Sequence, residues 1–540
     1  MCGILAVYSC RDVQEALTQS RKLSHRGPDE SDWYVSSAGH ILVHERLSIV
    51  DLASGKQPIQ GTTEAHVIHN GEIYNHQALY QTLKTKVTPR THSDSEIIVH
   101  LYEQEGVSFV DKLDGIFAFV VVDGDKFFAA RDAIGVKPLF WGRDDHDAIW
   151  FASEYKALQE VCWEIDEFPP GHYFTPETGF VQWYQPSWMT AEPTQDATGL
   201  REALVSAVQK RLMSDVEIGV LLSGGLDSSL ISSIVAREMK ARGKKLKSFS
   251  VGFSSDSPDL KKAREVATFL DTEHHEVVVT IEQGIRHLEK IIYHLESYDV
   301  TTIRASTPMS LMGEYIHKQG IKVVMSGEGA DEIFGGYLYF RNAPSKEDFH
   351  AECITRIQRL YTSDVLRVDR STMAHAIEAR VPFLDKAFLK KAMEMEPTLK
   401  LVSKERLEKY VLRKAFDTPE QPYLPDSILW RQKEQFSDGV GYSWIDTLKL
   451  YAETIISDTD FAQADVLYPH NTPTTKEAFL YRQIYSKMFK HPDAPRLVAK
   501  WIPKWQANTD PSGRANKDHV DAYQAATPDL EMLKTLSKAI

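Results

Sequence analysis

The chain has 540 residues, more than one hydrophobic core usually supports, so two or three domains are expected. Its 62 Lys+Arg against 76 Asp+Glu give a formal net charge of −14 with no block of like charge, which argues against nucleic acid or an anionic membrane as the main partner. The longest apolar run, 116–122, is too short to cross a bilayer, and four cysteines without paired or metal-ligand spacing (Cys2, Cys10, Cys162, Cys353) point to a reducing cytoplasm.

The first chemistry-bearing residue is Cys2. Removal of Met1 would leave one residue with both a thiol nucleophile and a free α-amine, a base with a pKa of roughly 7.7–8.0. An ordinary buried cysteine fits the same position. Arg11 and Arg21 follow without an apolar signal core, so no export is expected. To about residue 185 the pattern is of short strands (3–8, 40–47, 65–69, 117–122, 126–130) with helices at 12–20, 77–84 and 94–105, which predicts an α+β layered domain. His25-Arg26-Gly27-Pro28-Asp29 and His44-Glu45-Arg46-Leu47-Ser48-Ile49-Val50-Asp51 set charges beside turns or strand ends. Arg46 suits an amino-acid carboxylate, because its fork pairs both oxygens. Asn70-Gly71-Glu72-Ile73-Tyr74-Asn75 reads as a turn. In it the Asn70 amide and the Gly71 N–H can converge on an oxyanion, and a plain Asn-Gly hairpin turn fits equally. Asp94 fits a helix N-cap or the partner of a substrate ammonium.

A polar stretch, 190–199, is the expected linker. From Leu200 amphipathic helices alternate with apolar strands (218–222, 246–251, 276–279, 322–325), the pattern of an α/β parallel sheet, and beyond Asp385 the chain reads as mainly helical. The first of these strands opens into Ser223-Gly224-Gly225-Leu226-Asp227-Ser228, with a helix from about Ser228. Two glycines admit a close ligand, and the unpaired N–H groups of the helix start attract phosphate. Asp227 would repel that phosphate unless a divalent cation lay between them, which implies Mg²⁺. A tight strand-to-helix turn with a capping serine is the plainer alternative. The strand at 322–325 opens likewise into Ser326-Gly327-Glu328-Gly329-Ala330-Asp331-Glu332. Three carboxylates at a strand's C-terminal end suit a metal and substrate site, or a solvated acidic loop.

Cys2-Gly3-Ile4, the His25, Asn70 and Ala130-Arg131-Asp132-Ala133-Ile134-Gly135-Val136-Lys137-Pro138-Leu139 stretches resemble class II, N-terminal-nucleophile glutamine amidotransferases. Ser223-Gly224-Gly225-Leu226-Asp227-Ser228 resembles the pyrophosphate loop of ATP pyrophosphatases. With Tyr298-Asp299-Val300-Thr301-Thr302-Ile303-Arg304-Ala305-Ser306, Glu378-Ala379-Arg380-Val381-Pro382-Phe383-Leu384-Asp385 and the motif from Trp430 to Gly439, the chain resembles the glutamine-hydrolysing asparagine synthetases of bacterial and plant type, from Cys2 to about Arg514.

The resemblance implies an αββα, Ntn-hydrolase-like glutaminase domain (1–188), a linker (189–199), an α/β synthetase domain of adenine-nucleotide α-hydrolase-like fold (200–514) and a polar tail (515–540). It implies that Cys2 attacks the glutamine amide, its α-amine relays the proton, and Asn70 and Gly71 form the oxyanion hole. Glutamine would lie against Arg46, Leu47, Ser48, Ile49, Val50, Asn70, Gly71, Glu72 and Asp94. ATP, as co-substrate, would occupy Leu222, Ser223, Gly224, Gly225, Asp227, Ser228, Val251, Ser326 and Gly327, with Lys433 on the departing pyrophosphate. Thr301 and Arg304 would touch aspartate or pyrophosphate, and Asp227 and Asp331 would hold Mg²⁺. Glu328 would support formation of β-aspartyl-AMP and deprotonate the incoming ammonia. Neutral ammonia would pass inside the protein, with 116–122 lining the path or serving as plain core. A homodimer without nucleic-acid or membrane partners is expected.

Other readings compete. The same machinery would equally serve a different carboxylate acceptor; the Thr301 and Trp430 stretches favour aspartate. Phosphoribosyl-type amidotransferases lack this pyrophosphate loop, and β-lactam synthetases have lost the nucleophile. A non-catalytic scaffold predicts erosion at Cys2, Asp227, Glu328 or Lys433, and none is eroded.

Overall fold

The computed structural model describes every residue except Met1, Cys10, Arg11, Ala191, Lys404, Glu405, 433–439, Gly441 and 507–540. Lys433 and the 515–540 tail therefore lie outside the described residues.

The strand Gly115–Asp123 explains the layering of the first half. Its alternation puts Phe117, Phe119 and Val121 on one face, packed with Ile97, Ile98 and Leu101 of the helix Glu96–Glu105. Ala118, Val120 and Val122 on the other face meet Ile4, Ala6, Leu42 and Phe151 of a second sheet. That sheet's outer face, Leu5, Val7, Ile41 and Val43, packs with Ala16 of the helix Val13–Ser20. The result is helix, sheet, sheet, helix, and both faces of 116–122 are filled by core. Each sheet has six antiparallel strands. One runs Glu164–Glu167, Phe140–Arg143, Ile149–Ala152, Gly3–Tyr8, Ile41–Arg46, Glu30–Val35; the other Gly179–Gln182, His172–Thr175, Lys126–Arg131, Gly115–Asp123, His66–Ile73, Ile59–Gln60.

One expected turn is absent. Asn70 and Gly71 lie inside the strand His66–Ile73, opposite Ala118 and Phe117. Gly71 has φ +144°, and a Cβ there would sit 1.9 Å from the Ile116 carbonyl oxygen, so the glycine serves a close backbone approach rather than a hairpin. The helix expected from residue 94 begins at Glu96 and receives no side-chain cap, so Asp94 is not its N-cap.

The second half holds five parallel strands in the spatial order Glu273–Val278, Lys247–Gly252, Ile218–Leu221, Val323–Met325, Glu378–Arg380. Four match expected strands; the fifth, three residues long, is too short to show periodicity. The expected linker is partly anchored: Thr194 N–H donates to the Glu394 carbonyl, and Glu396 N–H donates to the Thr194 carbonyl, both at 2.7 Å.

Charged side chains buried between the halves join them. Arg26 Nη1 meets Glu154 at 2.7 Å and Asp369 at 2.9 Å, while Arg370 reaches Glu154 at 2.8 Å and Glu296 at 3.2 Å. Lys156 completes the set beside Glu154 and Glu296. Three cations balance three carboxylates, which is what lets ions sit this deep. Arg370→Ala would leave two buried carboxylates short of a partner; the expected cost is about 3–5 kcal/mol, read as a lower unfolding midpoint in urea.

Five histidines are held neutral by burial: His44, His69 and His375 are pushed down to about 3, His287 to about 4 and His294 to about 2. The unfolded chain protonates them near pH 6.5. Their contribution is therefore fully present above that pH and is lost as pH falls, at roughly 1.4 kcal/mol per histidine per unit. The urea midpoint is expected to drop steadily between about pH 6.5 and 4.5.

Candidate active sites

Gly3–Tyr8 is bonded to a strand on each side, which fixes residue 2 at its end. Cys2 is buried; its N–H donates to Asn70 Oδ1 at 2.9 Å, and its carbonyl accepts from Arg26 Nε at 3.1 Å. Burial pushes the thiol up, while the Leu47 N–H and the Arg46 charge favour the thiolate. With Oδ1 occupied, the buried Asn70 Nδ2 has no hydrogen-bond partner. Two residues along the same strand face, Glu72 is buried too. Its Oε1 meets an Arg380 nitrogen at 3.0 Å, and its Oε2 has no hydrogen-bond partner. Buried polar groups are normally paired. An orphaned amide donor and an orphaned carboxylate oxygen near one thiol therefore fit a ligand that brings an oxyanion and an ammonium.

Arg46 Nη1 pairs with Glu30 at 2.6 Å, and Nη2 donates to the Asp51 carbonyl at 2.5 Å. The Ser48 N–H donates to Asp29 Oδ2 at 2.7 Å, and the Ile49 carbonyl accepts from Asp215 N–H at 3.0 Å, so this wall of the pocket leans on the second half. Asp94 accepts the Ile73 N–H at 2.6 Å, and burial pushes its carboxyl up. Cys2, Arg46, Leu47, Asn70, Gly71, Glu72 and Asp94 thus gather in one region.

The second region follows from sheet topology. Strand order reverses between Ile218–Leu221 and Val323–Met325, and ligands of open parallel sheets bind beyond the carboxyl ends of strands at such a point. Both expected loops emerge there. Gly224 has φ +75°, and a Cβ on it would lie 2.5 Å from Ala263 N. The helix begins at Leu226, two residues before the expected start. Its N-cap is Gly225, with no side-chain cap, so the capping-serine alternative fails. Ser223 and Ser228 hydroxyls lie 3.0 Å apart across the loop. A Cβ at Gly327 would sit 2.7 Å from Ser228 N, so the two loops touch only because residue 327 has no side chain.

The cavity between them is lined by Leu222, Ser223, Gly225, Asp227, Ser228, Val251, Thr301, Ser326, Gly327, Glu328 and Asp331. Gly224 supports the loop from outside that lining. Arg304 is not among the lining residues: its guanidinium is buried on Glu477, at 2.8 and 2.5 Å. Glu328 pairs with Arg367 at 2.9 Å, and burial pushes its carboxyl up. Asp227 and Asp331 converge on Lys409 Nζ, at 2.5 and 2.6 Å. Two convergent carboxylates fit Mg²⁺, which usually takes one or two plus phosphate oxygens and water. Among the described residues no cluster of three His, Cys, Asp or Glu forms an all-protein metal cage. Lys409, Arg367, Asp364, Tyr337 and Arg413 also line the cavity and carried no signal in the sequence, since each stands alone in a helix or turn.

The asparagine synthase family model matches residues 199–349 and 341–510, and the glutamine amidotransferase domain model matches 1–182. A probable glutamine-hydrolyzing asparagine synthetase of Dictyostelium discoideum is 50% identical over 97% of this chain and 100% of its own. Glutamine-hydrolyzing asparagine synthetases 1 and 2 of Arabidopsis thaliana are 49% and 50% identical, each over 97% of this chain and over 95% and 96% of their own. A solved glutamine phosphoribosylpyrophosphate amidotransferase from B. subtilis aligns at TM-score 0.30 and 18% identity over 45% of this chain and 64% of that one, too weak a likeness to argue from.

Gly327→Ala forces the two loops apart and is expected to weaken ATP binding at least about tenfold, measured by calorimetric titration.

Proposed function

The chain belongs to the family of glutamine-hydrolysing asparagine synthetases, and from that membership we propose that it makes L-asparagine from L-aspartate and ATP with ammonia drawn from L-glutamine. The observation that carries the reading is the buried Cys2 beside the unpartnered Asn70 Nδ2 and Glu72 Oε2, in one chain with a switch-point cavity suited to a nucleotide. The division into a glutaminase domain (1–188), linker (189–199), synthetase domain (200–514) and tail (515–540) is part of the same proposal.

In the first site Arg46 receives the glutamine carboxylate, while Glu72 and Asp94 receive its ammonium; 47–50 close the pocket. The Cys2 sulfur adds to the side-chain carbonyl, and Asn70 Nδ2 with the Gly71 N–H takes the oxyanion. The C–N bond breaks as the Cys2 α-amine, free once Met1 is removed, relays the thiol proton to the leaving ammonia. Water then hydrolyses the γ-glutamyl thioester to glutamate. In the second site the N–H groups of the loop from Ser223 to Ser228 hold the ATP phosphates beside Leu222, Val251, Ser326 and Gly327. Asp227 and Asp331 would hold Mg²⁺, which neutralises phosphate charge when bound. A β-carboxylate oxygen of aspartate attacks the α-phosphorus and pyrophosphate leaves, with Thr301 at the cavity wall and Lys433 as the family's pyrophosphate partner. Ammonia attacks the β-aspartyl-AMP carbonyl, AMP departs, and Glu328, steadied by Arg367, takes the proton. A carboxyl pushed up by burial suits that task.

Unpaired, buried Cys2, Cys162 and Cys353 and the family likeness support a cytoplasmic homodimer as the working form; light scattering should return twice the chain mass. With Mg-ATP, aspartate and glutamine, mass spectrometry should find asparagine, glutamate, AMP and pyrophosphate in equal amounts. Glutamate alone would overturn aspartate as the acceptor in favour of another carboxylate. Cys2→Ala is expected to cut glutamine-driven synthesis by about 10³-fold or more while synthesis from added ammonium continues.

A further inference from the structure

The glutamine pocket is finished by the second domain. Val323–Met325 and its neighbour Glu378–Arg380 run from that pocket to the nucleotide loop. Just before the first strand, Lys322 Nζ meets Asp29 Oδ2 at 2.7 Å, the same oxygen that accepts the Ser48 N–H. At the other end the Ser326 N–H donates to the Arg380 carbonyl at 2.9 Å, where the nucleotide loop begins. The Arg380 side chain reaches back into the first domain. Its Nη2 lies 3.0 Å from Glu72 Oε1, its Nε donates to Glu378 Oε1 at 2.5 Å, and its Nη1 donates to the carbonyls of Arg211 at 2.6 Å and Met213 at 2.5 Å. Arg380 and Glu378 are 0% exposed and Glu72 3%, so the guanidinium has no freedom to point elsewhere.

We propose that Arg380 is a positioning residue for glutamine: it pins one oxygen of Glu72 so that the other receives the substrate ammonium. The pocket of the first domain is then complete only with the second domain's sheet docked against it. This rests on the reading of Glu72 as the ammonium partner. The charge balance around Glu72 supports it. Glu378 and Asp94 set negative charge against Glu72, burial keeps the neighbouring Tyr74 a neutral phenol, and Arg380 is a cation in direct contact with Glu72. Burial and Glu378 push the Glu72 carboxyl well above its ordinary range, and Arg380 opposes them, so its loss would push the carboxyl further up and weaken its attraction for an ammonium. A guanidinium can serve two carboxylates and two carbonyls at once because its donors form a planar fork, which a lysine reproduces only in part.

The test uses full-length Arg380→Gln, Arg380→Lys and Glu72→Gln, with glutamine hydrolysis and ammonia-driven synthesis measured side by side. Arg380→Gln is expected to raise the KM for glutamine about tenfold or more while kcat falls less than about threefold. Arg380→Lys should recover part of that rise. In the Glu72→Gln background Arg380→Gln should add less than about a further threefold, because the two act as one unit. Should Arg380→Gln fail to fold, Arg380→Lys carries the same KM against kcat comparison. An unchanged KM, a full additional effect in the Glu72→Gln background, or a parallel fall of hydrolysis and ammonia-driven synthesis overturns the proposal. A wild-type chain that does not hydrolyse glutamine, or a Glu72→Gln variant with normal KM, defeats instead the underlying reading of the pocket.

Discussion

Arg26 stands at the centre of a buried charge network that joins the two halves of the chain, and its partners decide where both sites stand. It grips Glu154 of its own half and Asp369 of the other, and it holds the Cys2 carbonyl with its remaining edge. Water cannot screen these ions, so each charge demands its partner and the docking tolerates little slip. The helix Asp364–Met373 carries this constraint to the second site. Asp369 and Arg370 belong to the network, while Arg367, one turn earlier, pairs with Glu328 in the cavity. A shift of that helix would disturb the surroundings of Cys2 and of Glu328 together.

Under the proposed reaction the spacing of the two sites matters, because ammonia is a nucleophile only while neutral and water would protonate it. Four residue steps of extended chain, about 13 Å, separate Lys322 at the first pocket from Ser326 at the second. The run 116–122 takes no part in that distance: its large and small side chains fill the two layers on either side of their sheet.

Several of the places where ordinary structural rules fail lie at the two candidate sites. Gly71 and Gly327 occupy spots where a Cβ would strike backbone, and each brings two chain segments together at a site. Asn70 Nδ2 and Glu72 Oε2 are buried without hydrogen-bond partners, which a purely structural position would rarely tolerate. The helix after Ser223-Gly224-Gly225 begins without a side-chain cap, so its N-terminal dipole stays directed into the cavity.

The amino-acid sequence alone determined the layered first half, the parallel second half and the two loops, because alternation, helical periodicity and glycine placement are local signals. It also marked Cys2, Asp227 and Glu328, whose neighbours in the chain carry recognisable patterns. The misreadings have physical causes. Asn70-Gly71 looks like a hairpin turn because that dipeptide favours one, and only the Ile116 carbonyl beside it shows a strand. Arg304 pairs with Glu477, 173 residues away, a contact with no trace in its own segment. Lys409 meets Asp227 across 182 residues and Arg380 of the second half meets Glu72 of the first, contacts with no trace in either local segment. Local patterns decide which elements form; buried charges, each requiring a partner from wherever the chain can supply one, decide which elements meet.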